Sequence, residues 1–286
     1  MRVRTGSGPC CRERWFMVLI RREEHGVAFW QDDDLLESAG IVVAFSERIG
    51  GVSEPPYASL NMASHVGDDP AAVDLNRDRF LNVLGLEESR ARLTCAEQVH
   101  GSRLEWISEH TVGAGAYAVH PESGPVPGTD GIMTDLPDVP LMLMFADCVP
   151  VVLVRPEARI IAVAHAGWRG ALAGIAGDAA RALMSVPGPG DIRAYIGPHI
   201  GGCCYEVEPS LMSLFREKFV TLQECVDHLD LGAVVAEDLV GAGVPISRQA
   251  VQGSCTSDNV GAFFSYRAEH GLTGRHCAVA AIRSAC

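Results

Sequence analysis

No CxxC pair occurs anywhere in the 286-residue sequence, although it carries ten cysteines. That removes zinc-ribbon and thioredoxin-type readings. The cysteines are irregularly spaced, with adjacent pairs at Cys10–Cys11 and Cys203–Cys204, so they do not form a disulfide framework. Reduced thiols in a cytoplasmic protein are expected instead. Long apolar runs are also missing. The N-terminal "WFMVLI" behind a basic stretch is closed at once by Arg21 and Arg22, too short and wrongly flanked for a signal peptide, and no stretch approaches a membrane span. Positive charge is scarce: 23 Lys and Arg against 36 Asp and Glu leave a formal net charge of -13. A general nucleic-acid or anionic-membrane surface is thereby excluded, and an anionic substrate would have to be met locally by arginines. Repeats, low-complexity tracts and linkers are absent as well.

What is present is globular: 48% hydrophobic and 21% charged residues, enough for a large core. Residues 1–16 are expected to be a loose extension, with Met17 as the start of a single domain over 17–286. "IVVAFSER" reads as a strand and "IGGVSEPPYASLNMASHVGDDP" as a long loop, functional or disordered. Asp69 then offers an N-cap and Pro70 the first position of a helix that buries Val73, Phe80, Leu81 and Leu84 and stops at Gly85. "RLTCAEQVHG" predicts a strand ending at Gly101, and "SRLEWIS" a second. "DGIMTD", "VPLMLMFAD", "VPVVLVRP" and "RIIAVAHAG" follow as four strand-like runs. One helix is predicted over "ALAGIAGDAARALMSV", then a strand ("IRAYIGP"), two amphipathic helices (Pro209 to Phe219 and Gly232 to Val240) and a last strand, "HCAVAAIR". Strands both clustered and separated by helices indicate one α+β domain with antiparallel pairing and not a doubly wound parallel sheet.

Three chemistry-bearing residues stand where an apolar run meets glycine or proline. His100 closes "CAEQVHG", Cys148 closes "LMLMFADC" and His165 closes "IIAVAHAG". Strand ends aim side chains into a shared pocket. One thiolate and two imidazoles suit Zn²⁺ and leave a fourth position for water, whose pKa zinc brings to about 7. The blander alternatives are a core cysteine and hydrogen-bonded structural histidines, and Cys148 beside a histidine also fits a metal-free nucleophile pair. Pro150 is expected to end the strand ladder, with Asp147 steadying the turn. Arg169, where "HAGWRG" opens a helix, and Arg48, before Gly50 and Gly51, are candidate anion contacts. Asn61 and His65 lie in the long loop, where a polar side chain has no core to serve.

Taken in series, "SERIGGVSEPPYASLNMASHVGDDPAAVDLNRDRF", "EQVHG", "DGIMTD", "ADCVPVVL", "AVAHAGWRG", "IGP" followed by "CCYEV", and "FFSYRAEHGLTGR" resemble the YfiH-like family, also called the multicopper polyphenol oxidase (laccase-domain) or purine nucleoside phosphorylase family. The resemblance runs from about Ser46 to the C-terminus. It implies a single layered α+β domain with mixed sheets, of cysteine-hydrolase-like fold, and zinc held by His100, Cys148 and His165. It also implies phosphorolysis of adenosine, inosine and methylthioadenosine, with adenosine deamination. Arg48, Asn61 and Arg169 are the expected substrate contacts, and the expected partners are small molecules, a purine nucleoside and phosphate, with a monomeric chain. Two further activities attach to the family: copper-dependent polyphenol oxidation, and cytoplasmic amide hydrolysis that edits a peptidoglycan precursor. Ten histidines with no HxH pair do not provide a multicopper cluster. His199 departs from the family pattern, where many relatives carry cysteine.

Overall fold

Most strands are buried on both faces, which is why they read as continuous apolar runs instead of alternating patterns. The computed structural model describes residues 17–120 and 122–284; the extension expected at 1–16 lies outside the described residues. The described strands form two mixed six-stranded sheets. The first runs in the order β1 (Ile20–Glu24), β2 (Val27–Gln31), β3 (Ile41–Ser46), β12 (His276–Ile282), β7 (Leu141–Phe145), β4 (Thr94–Cys95). The second runs β11 (Gln249–Val251), β10 (Arg193–Ile196), β8 (Val149–Arg155), β9 (Ile160–Ala166), β6 (Gly131–Thr134), β5 (Leu104–Trp106). Pairing is antiparallel except at the sheet edges, where β4 joins β7, β11 joins β10 and β5 joins β6 in parallel. The α+β class with mixed sheets is therefore the observed one.

The sheets pack face to face, and each is covered on its outer side. Between them lie Val43 and Phe45 of β3, Leu143 and Phe145 of β7 and Ala280 of β12, against Val152 and Val154 of β8, Val163 of β9 and Tyr195 of β10. The alternate residues of the same strands point outward. Val42, Met142 and Val279 meet Phe80 and Leu81 of helix α2 (Pro70–Val83). Val151, Leu153 and Ala164 meet a helical layer of α4 (Ile175–Ser185), α5 (Pro209–Lys218) and α6 (Leu231–Gly241). The order of layers is thus helix, sheet, sheet, helix. α2 begins as its sequence predicts: the Asp69 carboxylate accepts from the Ala71 N–H at 3.0 Å, and Pro70 takes the first turn.

Several elements differ from expectation. The segment after Met17 forms the β1–β2 hairpin and the short helix α1 (Asp33–Ala39), none of which was predicted. The helix expected over Ala171–Val186 is broken in two: α3 (Trp168–Ala173) ends and α4 begins at Gly174, whose φ of 92° no helix interior permits. The strand expected to carry His100 stops at Cys95. Pro150 does not end a ladder. It is the second residue of β8, flanked by β9 and β10. Its carbonyl accepts from the Gly197 N–H at 2.9 Å, but it has no N–H to return. The Gly197 carbonyl is served instead by His199 Nδ1 at 2.8 Å, so His199 closes the gap that the proline opens.

Candidate active site

The chain leaves the first sheet at Phe145 and enters the second at Val149, so Ala146, Asp147 and Cys148 form the crossing between them. Asp147 holds this crossing from within. It sits at φ 84°, and its carboxylate accepts from the Thr256 hydroxyl at 2.7 Å and from the Arg267 N–H at 2.6 Å. With both oxygens engaged, Asp147 anchors two loops and positions the neighbouring Cys148.

His165 arrives on β9, in register opposite Pro150. His100 arrives on the loop after β4, where Gln98 and His100 both adopt positive φ (59° and 60°). Gln98 continues the short β4–β7 pairing with its side chain: Nε2 donates to the Met144 carbonyl at 2.7 Å, and Oε1 accepts from the Met144 N–H at 2.9 Å. This ties the His100 loop to the strand that leads to Cys148.

Asp130, just before β6, joins the two histidines. Its side chain is fully buried and accepts from the His100 N–H at 2.9 Å and the Gly101 N–H at 2.7 Å. His165 Nδ1 lies 2.9 Å from the same carboxylate. A carboxylate of this kind only accepts, so Nδ1 carries a proton and Nε2 is the nitrogen left to meet a metal or the thiol. The two imidazoles stand edge to face with ring centroids 4.8 Å apart. One ligand atom each from His100, Cys148 and His165 lie within 4.8 Å of one another. Glycine makes room for them: a Cβ on Gly167 would sit 3.1 Å from the His100 ring and 3.2 Å from Cys148 Sγ.

The electrostatics follow from this packing. Burial pushes the Cys148 thiol up, but the His165 and His100 imidazoles outweigh it and bring the thiol below its ordinary range. Burial pulls His165 down, but Cys148 and Asp130 outweigh it and raise the imidazole. Burial also raises Asp130, and its bonds from His165 and Gly101 reverse that shift. A thiolate with two such imidazoles is a donor set that zinc or copper accepts, and the three residues fit a metal without rearrangement of their anchors.

These residues open into a cavity of about 500 Å³, also lined by His65, Gln98, Trp168, Arg169, Tyr205, Tyr266, Arg267 and Arg275. Arg169 stacks on Trp168 at 4.2 Å, and Arg267 lies over Tyr205 at 5.1 Å. Three arginines thus face one cavity in an acidic protein. His65 is solvent-exposed at the edge of this cavity, and the surrounding protein and then Arg275 hold it below the ordinary histidine range.

Two expected substrate contacts do not reach this cavity. Arg48 donates to the Ala58 and Val260 carbonyls at 2.9 and 2.8 Å and pairs with Glu269 at 3.0 Å. An arginine in a turn-rich loop is consumed by the carbonyls that such a loop leaves unpaired. Asn61 is fully buried; its Oδ1 accepts from the Ala63 and Arg275 N–H groups, and its Nδ2 donates to Asp68. It touches the site only by fixing the backbone of Arg275. Arg267 and Arg275 were not singled out in the sequence, although both lie in or beside "FFSYRAEHGLTGR". Asp130 has one visible signal, its place in "DGIMTD".

A thiol beside two imidazoles, one of them held by a buried carboxylate, at the seam of two mixed sheets marks a layered α+β enzyme with a candidate metal centre. The chain belongs to the family described as multi-copper polyphenol oxidoreductase laccase, which it matches over residues 42–283. It is 40% identical over 247 residues to purine nucleoside phosphorylase YlmD of Geobacillus stearothermophilus, covering 83% of this chain and 88% of that protein. It is 32% identical to the YlmD protein of Bacillus subtilis, covering 82% and 86%. Among solved structures, the YfiH protein of Bacillus licheniformis superposes with a TM-score of 0.83 at 31% identity, covering 92% of this chain and 99% of that one.

Proposed function

We propose that the chain is a zinc-dependent purine nucleoside phosphorylase acting on adenosine, inosine and methylthioadenosine, with adenosine deamination as a second activity of the same site. The observation that carries this reading is one cavity holding both the His100–Cys148–His165 donor set and the guanidinium groups of Arg169, Arg267 and Arg275. The names of the relatives support the substrate class. A zinc ion on His100, Cys148 and His165 would supply Lewis-acid polarisation and water activation. Phosphate, an anion in an acidic protein, is met by Arg169, whose guanidinium stacks on Trp168 and makes no side-chain hydrogen bond or salt bridge among the described residues. Arg267 and Arg275 spend donors on backbone carbonyls and contribute mainly charge. His65, kept neutral, is suited to donate a hydrogen bond to the departing base without acting as an acid. Reduced thiols at all described cysteines suit a cytoplasmic setting.

One observation favours a second reading. Asp130, His165 and Cys148 line up as orienting carboxylate, base and thiol, the arrangement of a cysteine nucleophile in an amide hydrolase. Copper oxidation has weaker support, because the other donor group among the described residues, Cys203, Cys204, Cys255 and Asp258, contains no histidine.

Metal-analysed protein incubated with the three nucleosides, with and without phosphate, and with a serine-containing muropeptide precursor separates the substrates. Phosphate-dependent release of free base is the expected result; amide cleavage alone would move the assignment to the hydrolase. Alkylation separates the roles of Cys148. A zinc thiolate resists iodoacetamide until a chelator is added, whereas a free nucleophile is labelled at once with loss of activity. Protection is expected, read by mass spectrometry of the Cys148 peptide.

A further inference from the structure

A second group of soft donors lies outside the cavity. Cys203 and Cys204 sit in the turn after β10, and Cys255 and Asp258 in the turn after β11. The backbone sets the two turns side by side: His199 bridges Cys255 in parallel, and the Thr256 N–H donates to the His199 carbonyl at 3.0 Å. One ligand atom from each of the four residues lies within 4.8 Å of all the others. The Cys203 and Cys204 thiols donate to the two oxygens of Asp258, at 3.2 and 3.1 Å, and the Gly201 N–H donates to Cys255 Sγ at 3.3 Å. Three sulfurs and a carboxylate therefore already converge, with a backbone donor directed at the buried sulfur.

We propose that Cys203, Cys204, Cys255 and Asp258 form a second zinc site, closed and structural. Four protein ligands complete a tetrahedron and leave no position for substrate, unlike the three-residue set in the cavity. Zinc–sulfur bonds of about 2.3 Å place ligand sulfurs roughly 3.8 Å apart, so the group needs only a small contraction. On binding, the three thiol protons pass to solvent, and the thiolates and the Asp258 carboxylate share the ion. The exposed Cys203 and Asp258 give the ion its way in, and the buried Cys255 gives it a fixed floor. A disulfide would use only two of the three sulfurs and leave Asp258 without a role.

The placement also gives the ion something to hold. Tyr205, next to Cys204, lines the active-site cavity. Thr256, next to Cys255, bonds the Asp147 carboxylate that positions Cys148. Zinc here would clamp the cavity wall without touching substrate.

Elemental analysis of protein purified without added metal, before and after mutation, tests this independently of the catalytic metal. The Cys203→Ser/Cys204→Ser variant should lose one zinc equivalent relative to its parent, and the His100→Ala/His165→Ala variant should keep that equivalent. If the cavity holds no zinc, the parent carries one ion and the serine variant none, so a failure of the catalytic assignment leaves this result readable. Unmutated protein provides a second measurement that folding cannot confound. Cys203 and Cys204 should resist iodoacetamide in zinc-replete protein and be labelled after chelation. Unchanged zinc in the serine variant would overturn the site. So would rapid labelling of Cys203 in zinc-replete protein, or a mass two units low from a disulfide among the three cysteines.

Discussion

Asp130 organises the site through two different kinds of bond: it fixes the His165 ring through Nδ1 and the His100 loop through two backbone N–H groups. Asn in its place keeps the shape but exchanges a carboxylate for an amide that must offer N–H where only acceptors fit. Asp130→Asn should therefore weaken zinc binding by roughly 10–100-fold while the chain stays folded, as measured by chelator competition and circular dichroism; unchanged affinity would reduce Asp130 to a loop anchor. Arg169→Ala should raise the apparent KM for phosphate far more than that for nucleoside. Equal rises in steady-state assays would point to a packing role for its stack on Trp168. At this scale the sequence is informative where chemistry interrupts an apolar run, as at Cys148 and His165. Asp130 escaped because its partners lie 29 to 35 positions away in the chain. Arg48 misled because an arginine next to glycines looks the same whether it binds a ligand or a loop's own carbonyls.

Between elements, the His100 loop and α3 approach so closely that only glycine fits. A Cβ on Gly170 would lie 2.7 Å from the Gly101 carbonyl, a backbone atom that cannot turn aside. Gly170→Ala should cost about 1–3 kcal/mol and move His100, lowering zinc affinity together with the melting temperature. Calorimetry and metal titration on one preparation would show whether the two losses travel together; a stable variant with intact zinc would mean the loop is more compliant than its contacts imply. The glycines of "HAGWRG" were legible as a strand-to-helix junction, and β3, β6–β10 and β12 as apolar runs. β1 escaped because all its residues are exposed and it pairs only with β2. His100 was placed on a strand because "TCAEQV" has strand-like residues, but Gln98 completes the pairing with its side chain instead of its backbone.

For the molecule as a whole, His276 sets an acid limit. It is fully buried between Phe145 and Phe263, neither ring nitrogen makes a well-formed hydrogen bond among the described residues, and its pKa is pulled down to about 3 by burial, which the backbone of Pro198 only partly offsets. The unfolded chain takes up this proton near pH 6.5 and the folded chain does not, so the contribution is lost progressively as pH falls from about 6.5 towards 3. By pH 4.5 the loss amounts to roughly 2–3 kcal/mol. His276→Phe should flatten this part of the stability profile, read from urea midpoints at pH 7 and 4.5; parallel profiles for variant and parent would show that the ring is protonated in the folded state.

The position of β12 in the first sheet bears on how the protein is made. β12 is the last described strand to leave the ribosome, yet it lies in the middle of its sheet, between β3 and β7. Until it arrives, β1–β2–β3 and β7–β4 are two separate fragments, each with a bare edge where β12 belongs. His100, Cys148 and His165 have all been synthesised by then, so the nascent chain presents its candidate metal donors before the frame that aligns them exists. Translation must finish this strand before the first sheet can close, which makes the interval before its release the period when the chain is most open to aggregation and to capture by chaperones.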